Sequence, residues 1–311
     1  MKDLIILAGP TAVGKSALAV DIASKINGSV ISADSMQVYR GMDIGTAKIT
    51  KDEMRSVPHY LIDILDPEDD FNIVTFQEKA KEAIKQITAS GRIPMIVGGT
   101  GFYIQSVLYD IDFSMGDELT QYRAELNALI EEKGAEYVHK ILERSDPDAA
   151  AAIHYNDKKR MIRALEYIRQ TGRPISEHNR ESAQKPSPYN YCYFVLTDDR
   201  EKIYHRIDER VDRMIEDGLV DEVRKLTERG LTRDNVSMHG IGYKEIIDHL
   251  DGICSLDEAI YTIKRESRHF AKRQLTWFKR EKDVIWLDKS KDTDIMGKIM
   301  QSLSKRGIIN E

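Results

Sequence analysis

The residues with the clearest chemical meaning lie near the N-terminus, where residues 9–16 read Gly-Pro-Thr-Ala-Val-Gly-Lys-Ser. This run fits the pattern G-x4-G-K-[S/T] in full, after an apolar run and before a helical pattern. In such a loop, backbone N–H groups surround phosphate oxygens, Lys15 neutralises charge, and the Ser16 hydroxyl can bind Mg²⁺. The sequence therefore predicts a polyphosphate site. It leaves the fate of that phosphate open, since kinases and NTPases share the loop.

A carboxylate and a hydroxyl could act beside this loop. Asp34 follows a short apolar strand pattern, and Thr100 lies in the turn Gly98-Gly99-Thr100-Gly101 after another. Asp34 could take a proton from an attacking nucleophile or hold a metal through water, but it is as readily explained as a turn aspartate. Thr100 could touch phosphate or metal. Asp63 is the weak candidate for a Walker-B acid, which counts mildly against an NTPase.

Two arginines offer a further phosphate contact. Arg206 and Arg210 are four residues apart on a predicted helix, so they share one face and could clamp a diphosphate or an RNA backbone. Ion pairs with the nearby acids Asp208, Glu209 or Glu216 are equally plausible.

These groups need a scaffold that brings them to one edge. Strand patterns alternate with helical patterns through the first hundred residues, which predicts a P-loop NTPase-like α/β fold: a parallel sheet flanked by helices, with ligands at the carboxyl ends of its strands. Residues 116–188 show only helical patterns, closed by a polar linker at 181–188. We therefore predict an inserted all-helical domain at 116–188, within a core domain of residues 1–115 and 189–311.

Composition narrows the function classes. The net charge is −6, yet basic residues concentrate in two segments, 158–163 and 264–282, so a local nucleic-acid footprint is compatible with an acidic protein. Each cluster alone could be a solvated helix face. The two cysteines show no metal or disulfide spacing, and the first apolar run is too short for a signal segment or a membrane span. We expect a cytoplasmic monomer with no membrane partner.

The motifs in this order resemble those of the tRNA dimethylallyltransferase (tRNA isopentenyltransferase) family. The resemblance is carried by residues 9–16 and by Asp34-Ser35-Met36-Gln37-Val38-Tyr39, Asp43-Ile44-Gly45-Thr46-Ala47-Lys48, Gly98-Gly99-Thr100-Gly101, Arg163-Ala164-Leu165-Glu166 and Lys272-Arg273-Gln274-Leu275-Thr276-Trp277-Phe278. It spans nearly the whole chain. Phe102 stands where Leu is expected, and no Cys/His zinc element is present, so the resemblance is to the shorter bacterial form.

The resemblance implies transfer of a dimethylallyl group from dimethylallyl diphosphate to N6 of the adenosine at position 37 of tRNA. Asp34, Lys15, Thr100 and Arg210 would be the catalytic residues, with Asp34 accepting the N6 proton. Mg²⁺ would sit on Ser16. The diphosphate would be bound by Gly9, Thr11, Ala12, Val13, Gly14, Lys15 and Ser16.

The resemblance also implies a grip on the tRNA anticodon stem-loop, because the target base must be flipped out of its stack. Its residues would be Asp34, Ser35, Met36, Gln37, Thr100, Arg123, Lys159, Arg160, Met161, Ile162, Arg163, His239, Gly242, Tyr243, Lys272, Arg273, Gln274, Trp277 and Lys279. Trp277 and Phe278 could stack on bases, although a helix core position is expected for one of the two.

Three rival functions remain open at this point. A P-loop small-molecule kinase would use Asp34 to activate a hydroxyl and the insertion as a lid carrying Arg160 and Arg163. A prenyltransferase acting on free adenine nucleotides would share the chemistry without needing a second basic surface. A non-catalytic NTP-dependent RNA-binding module would tolerate the loss of Asp34.

Overall fold

The computed structural model describes residues 2–113 and 120–310, and its strands form one six-stranded sheet in which every neighbouring pair is parallel. The strand order is β3-β2-β4-β1-β5-β6. The strands are β1 Lys2–Ala8, β2 Gly28–Ala33, β3 His59–Tyr60, β4 Ile93–Gly98, β5 Tyr189–Thr197 and β6 Val284–Asp288. The predicted α/β class with a parallel sheet is confirmed.

Helices connect and cover these strands. In chain order they are α1 Lys15–Ile26, α2 Lys51–Met54, α3 Ile73–Ala89, α4 Gly101–Leu108, α5 Thr120–Lys133, α6 Ala135–Ser145, α7 Pro147–Ala152, α8 Lys158–Thr171, α9 Ile175–Gln184, α10 Arg200–Glu216, α11 Leu219–Glu228, the 3₁₀ turn Val236–His239, α12 Tyr243–Leu250, α13 Leu256–Phe278 and α14 Ile295–Lys305. No helix in the described part of the chain is long and apolar enough to cross a membrane.

The register of the sheet brings several loops to one edge. Ala8 of β1 and Ala33 of β2 both pair with Gly98, so β1, β4 and β2 end at the same level. Neighbouring strands are about 4.8 Å apart, and β4 separates the other two, so the chain at Asp34 leaves its strand about 10 Å from the chain at Gly9. That spacing leaves room for a substrate between the two loops.

The chain divides into two compact units, Met1–Leu108 with Pro188–Glu311 and Tyr109–Ser187. The helical insertion between β4 and β5 is confirmed. The predicted boundary between residues 115 and 116 lies outside the described residues, and the predicted domain limits stay a prediction. The predicted linker at 181–188 was wrong in part, because α9 runs to Gln184.

Each unit has its own apolar core. In the first, buried strand side chains such as Ile5, Phe194 and Leu287 pack against helix residues such as Ile22 and Ile207. In the second, α5, α6, α7 and α8 contribute to a separate cluster, which contains Leu126, Leu142, Met161 and Leu165. The insertion therefore has a core of its own.

Candidate active site

The predicted phosphate loop, residues 9–16, joins β1 to α1 and adopts a backbone path that depends on glycine. Gly9 and Gly14 have φ values of +150° and +94°. A side chain at Gly9 would place its Cβ 2.4 Å from the carbonyl oxygen of Leu196, so the loop lies directly against β5. The geometry is that of a P-loop whose helix N-terminus follows at once, as an anion site requires.

Lys15 and Arg210 supply the positive charge of this loop. Lys15 Nζ donates to the carbonyl oxygen of Pro10 at 2.7 Å, and Nη1 of Arg210 donates to Oγ1 of Thr11 at 3.4 Å. Burial, helped by the charge of Arg210 and opposed by that of Asp34, lowers the pKa of Lys15 to about 7. An anion bound between these groups would stabilise the ammonium form of Lys15, because it would offset the lost hydration.

Arg206, which we predicted to clamp phosphate together with Arg210, instead makes an ion pair within the protein. Arg206 Nη2 lies 2.6 Å from Oδ2 of Asp198, whose side chain is 4% exposed. None of the three acids considered from the sequence holds Arg206. Arg210 is therefore the member of the pair that reaches the phosphate loop.

Gln274 ties the phosphate loop to the loop after β4. Its Oε1 accepts from the backbone N–H of Thr11 at 2.9 Å, and its Nε2 donates to the carbonyl oxygen of Gly99 at 3.1 Å. A Cβ on Gly99 would lie 2.0 Å from Nε2, so a side chain there would displace this amide. The side chain of Gln274 is buried and bridges two loops. Its contact with tRNA stays a prediction.

A second lysine lies over the phosphate loop. Lys289 follows β6, and its Nζ donates to the carbonyl oxygen of Val13 at 3.3 Å. A Cβ on Gly14 would lie 3.3 Å from the same Nζ. No local pattern could have predicted this role of Lys289, because it comes 276 positions after Val13 and belongs to no phosphate motif. Only the order of strands in the sheet brings the two together.

Asp34 caps the turn that leaves β2. Its Oδ1 accepts from the backbone N–H of Met36 at 2.9 Å and, more weakly, from that of Gln37 at 3.4 Å. The interpretation as a turn aspartate is therefore confirmed in geometry. It does not exclude a chemical role. Burial lowers the pKa of both Lys15 and Arg210, and the carboxylate of Asp34 lies close enough to both for its charge to oppose that lowering.

A second loop packs on this turn. Lys48 has a nearly buried side chain, and its Nζ donates to the carbonyl oxygen of Tyr39 at 2.7 Å and to carboxylate oxygens of Asp43 and Asp63 at 2.6 Å each. Asp63, the weak Walker-B candidate, is thus an ion-pair partner of Lys48. Because Lys48 joins residues 34–39 to residues 43–48, these two motifs form one structural element.

Residues 238–243 complete this side of the site. A Cβ on Gly240 would lie 3.2 Å from Sδ of Met36, so the two predicted base-contacting segments are in contact. His239 is exposed, and Gly242 has a φ of +105° at the start of α12. Tyr243 is fully buried, with its hydroxyl 2.7 Å from Oε1 of Glu222. The side chain of Tyr243 is thus internal in this structure, and its contact with tRNA stays a prediction.

The loop after β4 is fixed by α13. Thr100 accepts from the backbone N–H groups of Tyr103 and Ile104 through its carbonyl oxygen, which starts α4. A Cβ on Gly101 would lie 2.2 Å from Trp277, and the rings of Trp277 and Phe102 are 6.1 Å apart. The sequence left open which of the two aromatic residues of α13 is a core residue. Phe278 is fully buried, whereas Trp277 is partly exposed.

The basic residues of α13 divide into two groups. Lys264 and Arg268 pair with Asp212 and Asp208 of α10, so these two cations are engaged within the protein. The C-terminal part of α13 and the residues just after it line a cleft of about 370 Å³. Its lining residues are His269, Lys272, Arg273, Thr276, Trp277 and Arg280. Lys279, which follows the helix, is also exposed. The RNA contacts predicted for this segment stay a prediction.

The insertion presents its cations from α8. Lys159 and Arg160 are exposed and Arg163 is partly exposed, whereas Met161 and Ile162 are buried in the core of this unit. Those two side chains are core residues of this unit, and their contact with tRNA stays a prediction.

Arg123 of α5 makes a bidentate pair with Glu166 of α8. Arg123 Nε and Nη2 lie 2.9 and 2.8 Å from the two carboxylate oxygens of Glu166, which is fully buried. The Arg163–Glu166 motif thus ends in a carboxylate that orients Arg123, which remains 34% exposed.

The fold and site together define an α/β P-loop enzyme whose anion loop faces a carboxylate turn across one strand. Within residues 2–113 and 120–310, no group of three His, Cys, Asp or Glu side chains is placed to hold a metal ion. The polar groups that surround the phosphate loop are instead backbone N–H groups, lysines and an arginine.

Comparison with known proteins identifies the family. The IPP transferase family model matches residues 37–281. A tRNA dimethylallyltransferase of Lachnoclostridium phytofermentans is 57% identical over 99% of this chain and 100% of its own length. The chain therefore belongs to the IPP transferase family, the tRNA dimethylallyltransferases.

Solved structures agree with this assignment. A tRNA isopentenylpyrophosphate transferase from Bacillus halodurans is 46% identical, with a TM-score of 0.75 and 99% of both chains covered. A eukaryotic dimethylallyltransferase acting on tRNA is 30% identical, with a TM-score of 0.84, covering 98% of this chain and 78% of the other. The helical insertion is common to the family fold.

Proposed function

We infer that this enzyme transfers a dimethylallyl group from dimethylallyl diphosphate to N6 of the adenosine at position 37 of tRNA. The observation that carries the chemistry is the pairing of a cationic phosphate loop with the Asp34 turn, whose backbone leaves β2 about 10 Å from the backbone at Gly9, across β4. A donor with a diphosphate leaving group fits one side of this gap, and a nucleophilic amine fits the other.

The phosphate loop binds the part of the donor that leaves. The bond between C1 of the dimethylallyl group and the diphosphate oxygen breaks, and its electron pair stays on the diphosphate. Lys15 and Arg210 stabilise this growing negative charge, together with the backbone N–H groups of the loop. Thr100 adds a hydroxyl from the loop after β4. Because Gln274 holds both loops, it fixes the distance between these groups.

Mg²⁺ fits the donor set at Ser16. Ser16 lies with Ser32 and Gln37 on a cavity of about 30 Å³ whose other lining residues are apolar apart from His59, so the Ser16 hydroxyl is the oxygen ligand that the loop itself offers. Mg²⁺ prefers oxygen ligands, keeps several waters and commonly binds through substrate phosphates rather than a full protein cage. Ser16 would hold the ion against the diphosphate, where it would neutralise charge on the leaving group.

Asp34 acts on the acceptor. As the N6 amine attacks C1, a C–N bond forms and the nitrogen loses one proton, which the Asp34 carboxylate accepts. The turn hydrogen bonds from Met36 and Gln37 use Oδ1 and hold the side chain in one orientation. The turn therefore holds the proposed base in one orientation before the acceptor binds.

The exposed cations bind the RNA. On α8 they are Lys159, Arg160 and the partly exposed Arg163; on α13 they are Lys272 and Arg273, followed just after the helix by Lys279 and Arg280. Flipping the target base out of its stack costs a few kcal/mol, which phosphate contacts must offset. On a protein of net charge −6, such local contacts give binding that weakens steeply with salt.

The test is transfer of radiolabel from isoprenoid-labelled dimethylallyl diphosphate to unmodified tRNA, beside an assay of γ-phosphoryl transfer from ATP. We expect label in tRNA, diphosphate release in equal amount, and no dependence on ATP. Omission of Mg²⁺ should lower the rate of transfer. ATP turnover without label in tRNA would support the kinase function and overturn the proposal.

A further inference from the structure

Glu222 of α11 holds a set of contacts that no phosphate or RNA motif explains. Its Oε2 accepts from the backbone N–H groups of Asp43 and Ile44 at 2.8 Å each, and its Oε1 accepts from that of Gly45 at 3.0 Å. The Tyr243 hydroxyl donates to the same Oε1 at 2.7 Å. One carboxylate thus receives four donors from two segments far apart in the chain.

Two further contacts connect the partners of Glu222 to each other and to the segment that begins at Asp34. The loop at 43–48 carries Lys48, whose Nζ binds the carbonyl oxygen of Tyr39 in the segment that begins at Asp34. The ring of Tyr243 lies against Gly45, where a Cβ would be 2.6 Å from it. Glu222 therefore binds two of the three acceptor-side segments directly, residues 43–48 and 238–243. The third segment, residues 34–39, is joined to the first of these through Lys48.

Charge explains why a carboxylate is needed. Three consecutive N–H groups form a concave donor surface that favours an anion. Among the residues that the structure describes, no ion pair to Glu222 accompanies these four hydrogen bonds. Desolvation, followed by the negative charge of Glu222, raises the pKa of Tyr243 well above its usual value. Tyr243 therefore stays neutral and keeps its proton for donation.

We propose that Glu222 is a positioning residue for the acceptor side, which sets the turn of Asp34 through residues 43–48 and Tyr243 without touching the substrate. This inference rests on the proposed function. The phosphate loop shares none of the four hydrogen bonds, so the effect of Glu222 should fall on the tRNA acceptor and not on the donor.

The experiment compares Glu222→Gln with Glu228→Gln, an exposed glutamate on the same helix that changes the net charge equally. An amide cannot accept all four donors, because one of its two groups is itself a donor. We expect KM for tRNA to rise about tenfold, the size of one lost charge-assisted hydrogen bond. The affinity for inorganic diphosphate and KM for dimethylallyl diphosphate should stay within twofold.

Tyr243→Phe tests the same idea with a milder change, should Glu222→Gln fail to fold. It removes one of the four hydrogen bonds and leaves the three backbone contacts. We expect a rise of about threefold in KM for tRNA, with diphosphate affinity unchanged. An unchanged KM for tRNA in the folded variants, or an equal loss of diphosphate affinity, would overturn the inference. Absence of transfer by the unaltered enzyme would instead overturn the proposed function.

Discussion

The two sides of the active site are built on different principles. The phosphate side is a contiguous run of residues, 9–16, assisted by single side chains such as Lys15 and Arg210, and its task is to hold negative charge. The acceptor side is assembled from separate segments, 34–39, 43–48 and 238–243, through buried polar contacts. Cations dominate the first side, and carboxylates hold the second together.

This difference teaches where substrate specificity can reside. A phosphate loop binds the same chemical group in many enzymes, so it identifies the leaving group and little else. The acceptor side is specific to one geometry of nucleophile and base. Changes on the two sides should therefore separate in kinetics, with donor affinity falling for one and acceptor recognition for the other.

Loss of Lys15 should give a large effect on the phosphate side. In Lys15→Ala we expect a fall of about 100- to 1000-fold in kcat, because a charge aimed at the leaving group is lost. Affinity for inorganic diphosphate should fall as well, while tRNA binding remains. Rapid-quench transfer assays and calorimetry measure both. Lys25→Ala, on the exposed face of the same helix, is the control. A normal rate in Lys15→Ala would contradict the claim that the phosphate side acts by holding negative charge.

Gln274 tests the comparison between the two sides of the site. As a bridge between loops it would affect the phosphate side, whereas as a contact to tRNA it would affect the acceptor side. In Gln274→Ala two buried hydrogen bonds are lost, each worth about 1 kcal/mol. We therefore expect about a tenfold weaker affinity for dimethylallyl diphosphate, from competition or direct titration. KM for tRNA should stay unchanged. A rise in KM for tRNA alone would support the prediction that Gln274 contacts tRNA.

How much of this site can be predicted from the sequence depends on how far apart in the chain the contacting residues are. The phosphate loop and the helix after it were predicted because their geometry is encoded within eight residues. The turn of Asp34 was also predictable, since an aspartate that caps the next two residues is a local feature.

Long-range contacts escaped prediction for a physical reason. Gln274 meets Thr11 across 263 positions, and Lys289 meets Val13 across 276. Neither partner changes the local pattern, so only the strand order reveals them. The burial of Tyr243 and Met161 was not predicted either, because it depends on how their helices pack.

Asp146 of the insertion belongs to neither side and should give the smallest catalytic effect. Its buried carboxylate accepts from the backbone N–H groups of Ala149 at 3.0 Å and Ser176 at 2.9 Å. In Asp146→Ala we expect the insertion to lose about 1–3 kcal/mol of unfolding free energy, measured by hydrogen exchange. Asp148→Ala, which breaks an exposed ion pair with Arg180, should lose less than about 1 kcal/mol.

The same carboxylate predicts a dependence on pH. Burial acts to raise the pKa of Asp146, but hydrogen bonds from Ser176 and Ala149 outweigh it and hold that pKa below its usual value. A lowered pKa in the folded state stabilises the protein above the usual pKa of aspartate, and this stabilisation is lost as the pH falls. The difference between Asp146→Ala and the unaltered protein should therefore shrink at acidic pH. A difference that grows at acidic pH would contradict this.

The central claim is that Asp34 accepts the proton from the attacking amine, and Asp34→Asn in single-turnover transfer tests it most directly. Asparagine keeps the oxygen that caps the turn at Met36 and Gln37 but removes the basic carboxylate. We predict a chemical step slower by about 100- to 10,000-fold, with the affinities for tRNA and diphosphate unchanged. A near-normal rate of transfer, or a loss explained wholly by weaker tRNA binding, would contradict the claim.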